Sequence, residues 1–383
     1  MFKVVLWDYT GESAGWVKTF LKDDVEIIRT LRPDDADQAE VILRGDWNFV
    51  LIFEEGRREL FNEIFKIMRE MNFSTENIVF AKDASNWAEK PTAVYALLKP
   101  QTCEQIYRHI NFSKQKQWND YVTCTVEGVS YVAPSTDLFR MHHMFVNRVN
   151  WASHDMKIFQ TLAKKFYGVD DSAGYFLDLG ANIGTTGIYF CKKLAPNLKL
   201  LAFEPDAENF KMLRTNLILN DLESVSKAVN CGLGNKSSDL MLYRNGLNSG
   251  AIGFIKHEQS TPISPVKIIP LDSYLTENKI AAEEVKYIWI DTEGFEPQVL
   301  LGAKSLLAKN SAPVFMECNL RAWDNSGYFD DMLALLSEHY THFIRVQVDE
   351  TIYPLDALKT MQRPDNDLGQ LGDIFLIKTG TVN

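Results

Sequence analysis

The sequence predicts an α/β fold with two sheets, a smaller one at the N-terminus and a larger one after it. Apolar, β-branched runs alternate with segments of helical periodicity, which is the pattern of parallel sheets. Residues 175–187, Y-F-L-D-L-G-A-N-I-G-T-T-G, indicate a strand, a tight turn and a helix. Residues 287–303, Y-I-W-I-D-T-E-G-F-E-P-Q-V-L-L-G-A, indicate a buried strand that ends in an acidic residue before another helix.

The length of 383 residues favours two domains. We expect a Rossmann-like α/β accessory domain at residues 1–100, a linker and hairpin region at 101–150 and the main domain at 151–383. The first domain is predicted to have strands at 2–7, 25–30, 47–53 and 77–80, with helices at 17–21 and 57–71. Its first turn, with Gly11 and Gly15, lacks the G-x-G-x-x-G order of a dinucleotide site. A structural or partner-docking role is therefore favoured over nucleotide binding.

Residues 101–150 have a weaker pattern. Alternation over 121–132 predicts a hairpin whose turn lies near Glu127 and Gly128. The adjacent His142 and His143 are either substrate contacts or linker residues. A helix is expected over 153–166, capped by Ser153.

Composition limits the classes of partner and the cellular compartment. A net charge of −11 argues against general binding to nucleic acid or to an anionic membrane, although a local basic patch remains open. Five scattered cysteines without C-x-x-C spacing favour reduced thiols over a disulfide framework or a zinc site. We expect no signal peptide, because the first apolar run is too short, and no 18 consecutive apolar residues occur in the sequence. We therefore expect a cytoplasmic protein, and we leave its oligomeric state open.

In the main domain, strand and helix patterns alternate regularly, so that polar residues can be placed at strand ends. The first strands are expected at 176–178, 200–204 and 226–231, with a helix at 209–219. Residues 238–254 predict an inserted hairpin or loop over the site, and 266–269 continue it. A helix capped by Asp272 follows. Later strands are expected at 287–291, 314–317, 343–348 and 373–378.

The turn at 180–187 differs from a dinucleotide-binding turn. In G-A-N-I-G-T-T-G, Asn182 occupies the position of the second glycine of G-x-G-x-x-G. Asp178 precedes Gly180 by two residues, and Glu204 ends the next predicted strand.

Four blocks together resemble the FkbM family of class I S-adenosylmethionine-dependent methyltransferases, over about residues 150–383. They are F-L-D-L-G-A-N-I-G, A-F-E-P-D, I-D-T-E-G-F-E-P-Q-V-L-L-G-A and D-I-F-L-I-K. The D-T-E-G-F-E block distinguishes this family from other class I enzymes. The resemblance implies a doubly wound sheet of seven strands with helices on both faces. It also implies a cofactor across the C-terminal ends of strands one to four.

The resemblance also implies roles for individual residues. Gly180, Asn182 and Gly184 are expected to pack against the methionine end of S-adenosylmethionine, and Glu204 to accept hydrogen bonds from the ribose hydroxyls. Near adenine, Asn230 or backbone groups are expected to make the contact. Asp178 is expected to hold the turn or to reach the amino group of the cofactor.

Three carboxylates at the ends of the fourth and fifth strands are candidate general bases, namely Asp291, Glu293 and Glu317. Alternatively, Asp291 orients the cofactor, and Glu293 and Glu296 cap the next helix. His257, in the predicted inserted loop, is a further candidate base.

A divalent metal site is a further possibility that the sequence leaves open. Asp291, Glu317 and Asn319 have the oxygen ligands that Mg²⁺ prefers, although we favour a site without metal.

The sequence also limits the acceptor. No N/D-P-P-Y follows the fourth strand, which argues against adenine N6 methylation, and Cys318 lies in E-C-N rather than in a Pro-Cys loop, which argues against cytosine C5 methylation. The resemblance favours O-methylation of a saccharide, nucleotide sugar, glycan or related small molecule. An N-methyltransferase acting on a small amine and a non-catalytic scaffold remain alternatives.

Overall fold

A computed structural model describes residues 2–8, 25–32, 35, 47–53, 78–80, 95–96, 102–137, 140–244, 252–256, 260–310, 312–346, 348–349, 351–363, 370–378 and 380. The chain forms two compact units. The first comprises Met1–Val122 and His142–Arg148, and the second comprises Thr123–Met141 and Val149–Asn383. The predicted intermediate region 101–150 is thus divided between them. The predicted helices 17–21 and 57–71, and His257, lie outside the described residues.

The first unit contains a sheet of five strands. They are β1 (Phe2–Asp8), β2 (Val25–Leu31), β3 (Phe49–Phe53), β4 (Ile78–Phe80) and β5 (Tyr95–Ala96). Their order is β2-β1-β3-β4-β5, and each neighbouring pair is parallel. The parallel sheet predicted from the alternating pattern is confirmed, and β5 is an additional strand.

A helix that the sequence pattern did not predict, α1 (Cys103–Trp118), follows this sheet. It begins with a capping box in which the Thr102 hydroxyl accepts from Gln105 N–H and the Gln105 side chain accepts from Thr102 N–H. On α1, His109 Nδ1 lies 2.6 Å from His142 Nε2. Burial, together with the charge of His142, lowers the pKa of His109 to about 3. His142 therefore contacts another histidine within the first unit.

The predicted hairpin is present, with strands β6 (Tyr121–Val126) and β7 (Val129–Pro134). Glu127 and Gly128, at the predicted turn, have φ of 50° and 75°. The helix α2 (Arg140–Asn147) follows the hairpin. Asp137 precedes this helix, and its carboxylate accepts hydrogen bonds from the N–H groups of Arg140 and Met141 in the first turn.

The remaining strands belong to the second unit. They are, in chain order, β8 (Gly174–Leu179), β9 (Leu198–Phe203), β10 (Lys227–Val229), β11 (Gly232–Leu233), β12 (Ser238–Arg244), β13 (Ile252–Gly253), β14 (Thr261–Ile269), β15 (Val285–Ile290), β16 (Val314–Asn319), β17 (Tyr340–Arg345), β18 (Ile352–Pro354) and β19 (Gln370–Lys378).

The main sheet has eight strands in the order β10-β9-β8-β15-β16-β19-β17-β18. Five strands of this sheet, β10, β9, β8, β15 and β16, are parallel to one another, whereas β19 runs antiparallel to both of its neighbours. The predicted α/β fold class is confirmed, and the seven expected strands are joined by β18 at the edge. Because the order reverses at β8, the C-terminal ends of β8, β9 and β15 enclose a crevice, which is where open α/β sheets bind ligands.

The helices of the second unit cover both faces of this sheet. They are α3 (Ser153–Tyr167), α4 (Thr185–Tyr189), which continues as a π-helical turn (Phe190–Leu194), α5 (Ala207–Leu219), α6 (Leu271–Glu277), a 3₁₀ turn (Ala282–Glu284), α7 (Glu296–Leu301), α8 (Lys304–Lys309), α9 (Leu320–Ser326), α10 (Phe329–Ser337) and α11 (Ala357–Thr360).

Two predicted helix caps differ from the structure. Ser153 is the first residue of α3, and Ala152 stands at its N-cap without a side-chain hydrogen bond. Asp272 lies inside α6, where its carboxylate accepts from Ser305 and Leu306 N–H (2.7 and 2.9 Å) and so caps α8. Local spacing could not predict the cap of α8 because Asp272 precedes that helix by about thirty residues.

Side chains of β8 separate the two cores of the doubly wound sheet. Leu177 and Leu179 face one core, and Phe176 packs on the other side against Phe159 and Phe190. This follows from the alternation of side chains along a strand. Asp178 shares the face of Phe176, and it is fully buried.

Asn216 of α5 and Asn220, the C-cap of this helix, join it to the hairpin. Asn216 Oδ1 accepts from Val132 N–H (2.7 Å), while its Nδ2 donates to the carbonyls of Val132 and Ile183. Asn220 Oδ1 accepts from Ser130 N–H (3.0 Å), and its Nδ2 donates to Ser130 O (2.7 Å). The two amides therefore pair with β7 as a neighbouring strand would.

Candidate functional site

A cavity opens at the C-terminal ends of β8, β9 and β15, within the second unit. It is lined by Gly180 and Asn182 after β8, by Phe203, Glu204, Pro205 and Asn209 around the end of β9, by Cys231, Gly232 and Leu233, by Ile252, Gly253 and Phe254, by Asp291, Thr292 and Glu293 after β15, and by Arg140. Five of the nine predicted site residues, Gly180, Asn182, Glu204, Asp291 and Glu293, therefore line one cavity.

The glycines of the first turn are required by the packing of the protein itself. Gly180 has φ of 95°, and a Cβ there would overlap the carbonyl oxygen of Asp291. Gly184 has φ of 87°, and a Cβ would lie 2.7 Å from side-chain atoms of Ile188 and Leu213. Such conformations favour glycine. Gly180 lines the cavity, whereas Gly184 is the N-cap of α4 and lies outside the lining.

Asn182 lies between these glycines in a left-handed conformation, with φ of 51°. Asparagine adopts this region more readily than most residues. Its Oδ1 accepts from Ile183 N–H, and its own N–H donates to Glu204 Oε2 (2.7 Å). The turn after β8 is thus attached to the end of β9.

Glu204 is 5% exposed and lines the cavity. One carboxylate oxygen accepts from Asn182 N–H, and the other accepts from Asp206 N–H (2.8 Å). Burial raises the pKa of Glu204 to about 7 even though these hydrogen bonds oppose the shift. Each oxygen has a further lone pair, so the carboxylate has the capacity to accept two more donors from a ligand.

Asp178 lies beneath the turn and is outside the cavity lining. It is fully buried, and its Oδ2 accepts from Gly187 N–H (3.0 Å) in the first turns of α4. Burial raises the pKa of Asp178 to about 7, and the charge of Asp291 contributes. Of the two roles expected for Asp178, the geometry supports holding the turn.

Asn230, the predicted adenine contact, is also outside the lining. Its Nδ2 donates to the carbonyls of Glu204 and Pro205 (2.9 and 3.0 Å), so that it secures the segment after β9. The lining at this end of the cavity comes from the next residues, Cys231 to Leu233.

The segment after β15 brings two carboxylates to the cavity. Burial raises the pKa of Asp291, and it also raises that of Glu293, where the charge of Asp291 adds to the shift. Glu293 has φ of 54°, a left-handed conformation at a residue that is neither glycine nor asparagine. Such backbone strain persists where the surrounding structure fixes it, and it is common at functional sites.

Glu296 fixes this strained turn. Its Oε1 accepts from Thr292 N–H, Thr292 Oγ1–H and Gly294 N–H, and its Oε2 accepts from the indole N–H of Trp323 (2.7 Å). Glu296 is fully buried. It supports Glu293 through the backbone and is outside the cavity lining.

Glu317, the third predicted base, lies on β16 opposite Asp373 of β19 and is outside the cavity lining. Burial raises the pKa of Glu317 well above its usual range, and the charges of Asp291 and Glu293 raise it further. Burial together with the charge of Asp291 also raises the pKa of Asp373 to about 8. A group of mutually repelling carboxyl groups therefore continues from Asp291 across the strand ends.

Arg140 is a charged residue of the cavity that the sequence pattern missed. It lines the cavity, and its charge lowers the pKa values of Asp291 and Glu293 against the effect of burial. It precedes β8 by more than thirty residues and lies in no motif. The only sequence signal was Asp137 three residues earlier, which is the spacing of a helix cap.

The inserted segment lies beside the cavity, as the loop pattern predicts. Its four-stranded sheet has the order β11-β14-β12-β13, and Ile252, Gly253 and Phe254 line the cavity. A Cβ on Gly253 would lie 3.1 Å from Glu293 Cβ. The insertion therefore packs directly on the strained turn.

Among the described residues, no group of three His, Cys, Asp or Glu side chains is arranged to hold an ion. Asn319 Oδ1 accepts from Ala322 N–H (3.0 Å) and caps α9. In this part of the chain, Cys124, Cys191, Cys231 and Cys318 are free thiols.

The polar and charged groups of the cavity fit the cofactor expected from the sequence. Glu204 offers acceptors for two hydroxyl groups, Asp291 and Glu293 offer negative charge, and Arg140 has a buried Nη1 without a hydrogen-bond partner. S-adenosylmethionine has a ribose diol, two cationic groups and one carboxylate, which match these partners in kind.

Comparison with known proteins finds a match to one family model. Residues 178–342 match the family model described as the methyltransferase FkbM domain. The chain is 43% identical over 68 residues to the methyltransferase sdnD of Sordaria araneosa, a match that covers 18% of this chain and 26% of that protein. The matched part therefore spans about a quarter of the relative.

Solved structures with similar architecture include methyltransferases. The methyltransferase FkbM of Methylobacillus flagellatus KT aligns with a TM-score of 0.32 and 13% identity, over 88% of this chain and 85% of that one. An O-methyltransferase from Bacillus cereus in complex with SAH aligns with a TM-score of 0.33 and 13% identity, over 59% of this chain and 81% of that one. The likeness to the FkbM family is that of residues 178–342, and it does not depend on these alignments.

Proposed function

We propose that this chain, whose residues 178–342 match the FkbM methyltransferase family model, methylates a hydroxyl group with S-adenosylmethionine as the donor. The acceptor that we propose is a saccharide, nucleotide sugar or related small molecule. The observation that carries the proposal is the single cavity that joins Glu204, Asp291 and Glu293 at the reversal point of the sheet.

Glu204 supports cofactor binding. Its two oxygens are oriented by the N–H groups of Asn182 and Asp206, which leaves further lone pairs for donors within the cavity. A carboxylate fixed in this way is a strong acceptor for a pair of vicinal hydroxyl groups. We therefore assign Glu204 to the ribose of the cofactor.

Glu293 is our candidate for the general base, and Asp291 is its neighbour. The cofactor supplies an electrophilic methyl group, so the protein has to position the acceptor oxygen, exclude water and receive the hydroxyl proton. A base is most effective when its pKa lies near the working pH. Burial and the charge of Asp291 raise the pKa of Glu293 in that direction.

The same carboxyl groups support a second acceptor class. Asp291, Glu293, Glu317 and Asp373 form a region of negative charge beside the cavity. An ammonium group would be attracted there, so N-methylation of a small amine is the alternative. A nucleic acid is disfavoured as acceptor because the net charge is −11 and these carboxyl groups would repel phosphates.

An acceptor screen tests the proposal. Purified protein is incubated with S-adenosylmethionine carrying a labelled methyl group and with separate panels of saccharides, nucleotide sugars and small amines. We expect label in the saccharide or nucleotide-sugar panel and its loss in Glu293→Gln. Transfer to amines alone would replace the proposal with the alternative, and cofactor binding without transfer to any panel would support a non-catalytic scaffold.

A further inference from the structure

Arg140 has a charge that the surrounding protein leaves incompletely satisfied. Its Nη1 is buried and has no hydrogen-bond partner. Asp291 and Glu293 affect it electrostatically, yet no ion pair within 4.0 Å joins Arg140 to any residue that the structure describes. Leaving a buried donor of a charged group unpaired is costly, so such a group indicates a partner that arrives with a ligand.

The position of Arg140 is fixed, which distinguishes it from a mobile surface arginine. Asp137, which is 1% exposed, accepts from Arg140 N–H at 2.9 Å and anchors its backbone. The guanidinium lies over the Trp151 ring, with Cζ 5.9 Å from the ring centroid. Its planar fork is therefore held at the cavity wall.

The distribution of charges along the cavity indicates which group of a ligand Arg140 binds. Arg140 is the one cationic side chain among the lining residues, all of which the structure describes, and Glu204, Asp291 and Glu293 are anionic. Glu204 follows β9 and Asp291 follows β15, with β8 between them, so they lie about 10 Å apart across the sheet. The cavity thus has a hydroxyl-accepting end and an end with charges of both signs.

We propose that Arg140 binds the carboxylate of the methionine moiety of S-adenosylmethionine. This inference rests on the proposed function. A guanidinium pairs with a carboxylate or a phosphate through two parallel hydrogen bonds, and Asp291 and Glu293 beside it would repel either anion if the ligand carried no positive charge of its own. A zwitterion satisfies both Arg140 and these carboxylates.

The test compares two ligands by isothermal titration calorimetry on the full chain: S-adenosylmethionine and its decarboxylated form, S-adenosyl-3-methylthiopropylamine. Arg140→Gln should weaken binding of S-adenosylmethionine by roughly 10- to 100-fold and should change binding of the decarboxylated ligand by less than about 3-fold. Arg140→Lys, which retains the charge without the fork, should give an intermediate loss. Exposed Arg214, on α5 outside the cavity, provides the matched control Arg214→Gln with no loss.

Each other outcome overturns a defined part of the account. Equal loss for both ligands would mean that Arg140 acts on the shape or charge of the cavity and not on the carboxylate. Unchanged binding of both ligands in Arg140→Gln would also overturn the inference while leaving the proposed function intact. Absence of S-adenosylmethionine binding to the wild-type protein would overturn the proposed function and, with it, this role of Arg140.

Discussion

The residues of the cavity combine burial with opposed charges. Burial raises the pKa values of Glu204, Asp291 and Glu293, and Arg140 lowers those of Asp291 and Glu293. These carboxyl groups therefore change protonation nearer to neutral pH than exposed carboxyl groups do. Perturbed groups that meet in one cavity are typical of active sites.

Glu293 is expected to set the pH dependence of methyl transfer. A base works only when it is ionised, and the pKa of Glu293 is raised, so kcat/KM should fall as the pH decreases through that raised value. Glu293→Gln should lower kcat roughly 100-fold or more and should flatten this acidic limb. Rates from pH 5.5 to 9 on an acceptor found by the screen provide the measurement.

Glu317→Gln is the matched control for this prediction, because Glu317 is also buried and acidic but is outside the cavity lining. It should retain the acidic limb at an unchanged pH, because burial, Asp291 and Glu296 raise the pKa of Glu293 and Glu317 does not. An acidic limb that persists unchanged in Glu293→Gln would assign the base to another group, with Asp291 the next candidate.

The glycines also show what a sequence can establish at the residue scale. Their positions in G-A-N-I-G located the turn correctly. The structure adds a second reason for both glycines, because Gly180 faces the Asp291 carbonyl and Gly184 faces Ile188 and Leu213. The contacts with Asp291 and Leu213 join distant parts of the chain and leave no local pattern.

Among the elements, α5 connects the hairpin to the turn of the site. Asn216 is fully buried and bonds both to Val132 of β7 and to the carbonyl of Ile183, beside Asn182. A strand edge normally requires another strand as its partner. Here the asparagine amides on one face of a helix provide the donors and acceptors.

Asn216→Ala is expected to destabilise the second unit by about 2 to 4 kcal/mol, because Val132 N–H and the Ile183 carbonyl lose their buried partner. Urea denaturation measures this change in the free energy of unfolding. Thr215→Ala, at the half-buried neighbouring position, is the control and should change stability by less than about 1 kcal/mol. Equal effects of the two substitutions would contradict the role given to the amide ladder.

Sequence patterns predicted the elements that carry regular periodicity or a motif. The strands β8, β9 and β15 and the hairpin were placed correctly, since alternation and strand-end residues are local signals. Helix α1, the edge strand β18 and the cap of α8 by Asp272 were not predicted. The cap of α8 depends on contacts between residues far apart in the sequence, and the pattern of β18 is too short to recognise. The capping box at the start of α1 is a local signal that could have predicted that helix.

For the whole molecule, the structure assigns the candidate site entirely to the second unit. Arg140 belongs to that unit although it lies before the matched segment 178–342, so the family match alone would omit it. The first unit has its own parallel sheet in the order β2-β1-β3-β4-β5. None of the helices in the part of the chain that the structure describes is long and apolar enough to cross a membrane.

Calorimetric titration at pH 8 tests most directly whether the cavity binds S-adenosylmethionine through Glu204. The pKa of Glu204 is raised to about 7, so its carboxylate is mostly ionised at that pH. We predict micromolar binding to the wild type, about 10- to 100-fold weaker binding to Glu204→Gln, and unchanged binding to Glu208→Gln, an exposed control on α5. Undetectable binding to the wild type, or equal affinity in Glu204→Gln, would contradict the account.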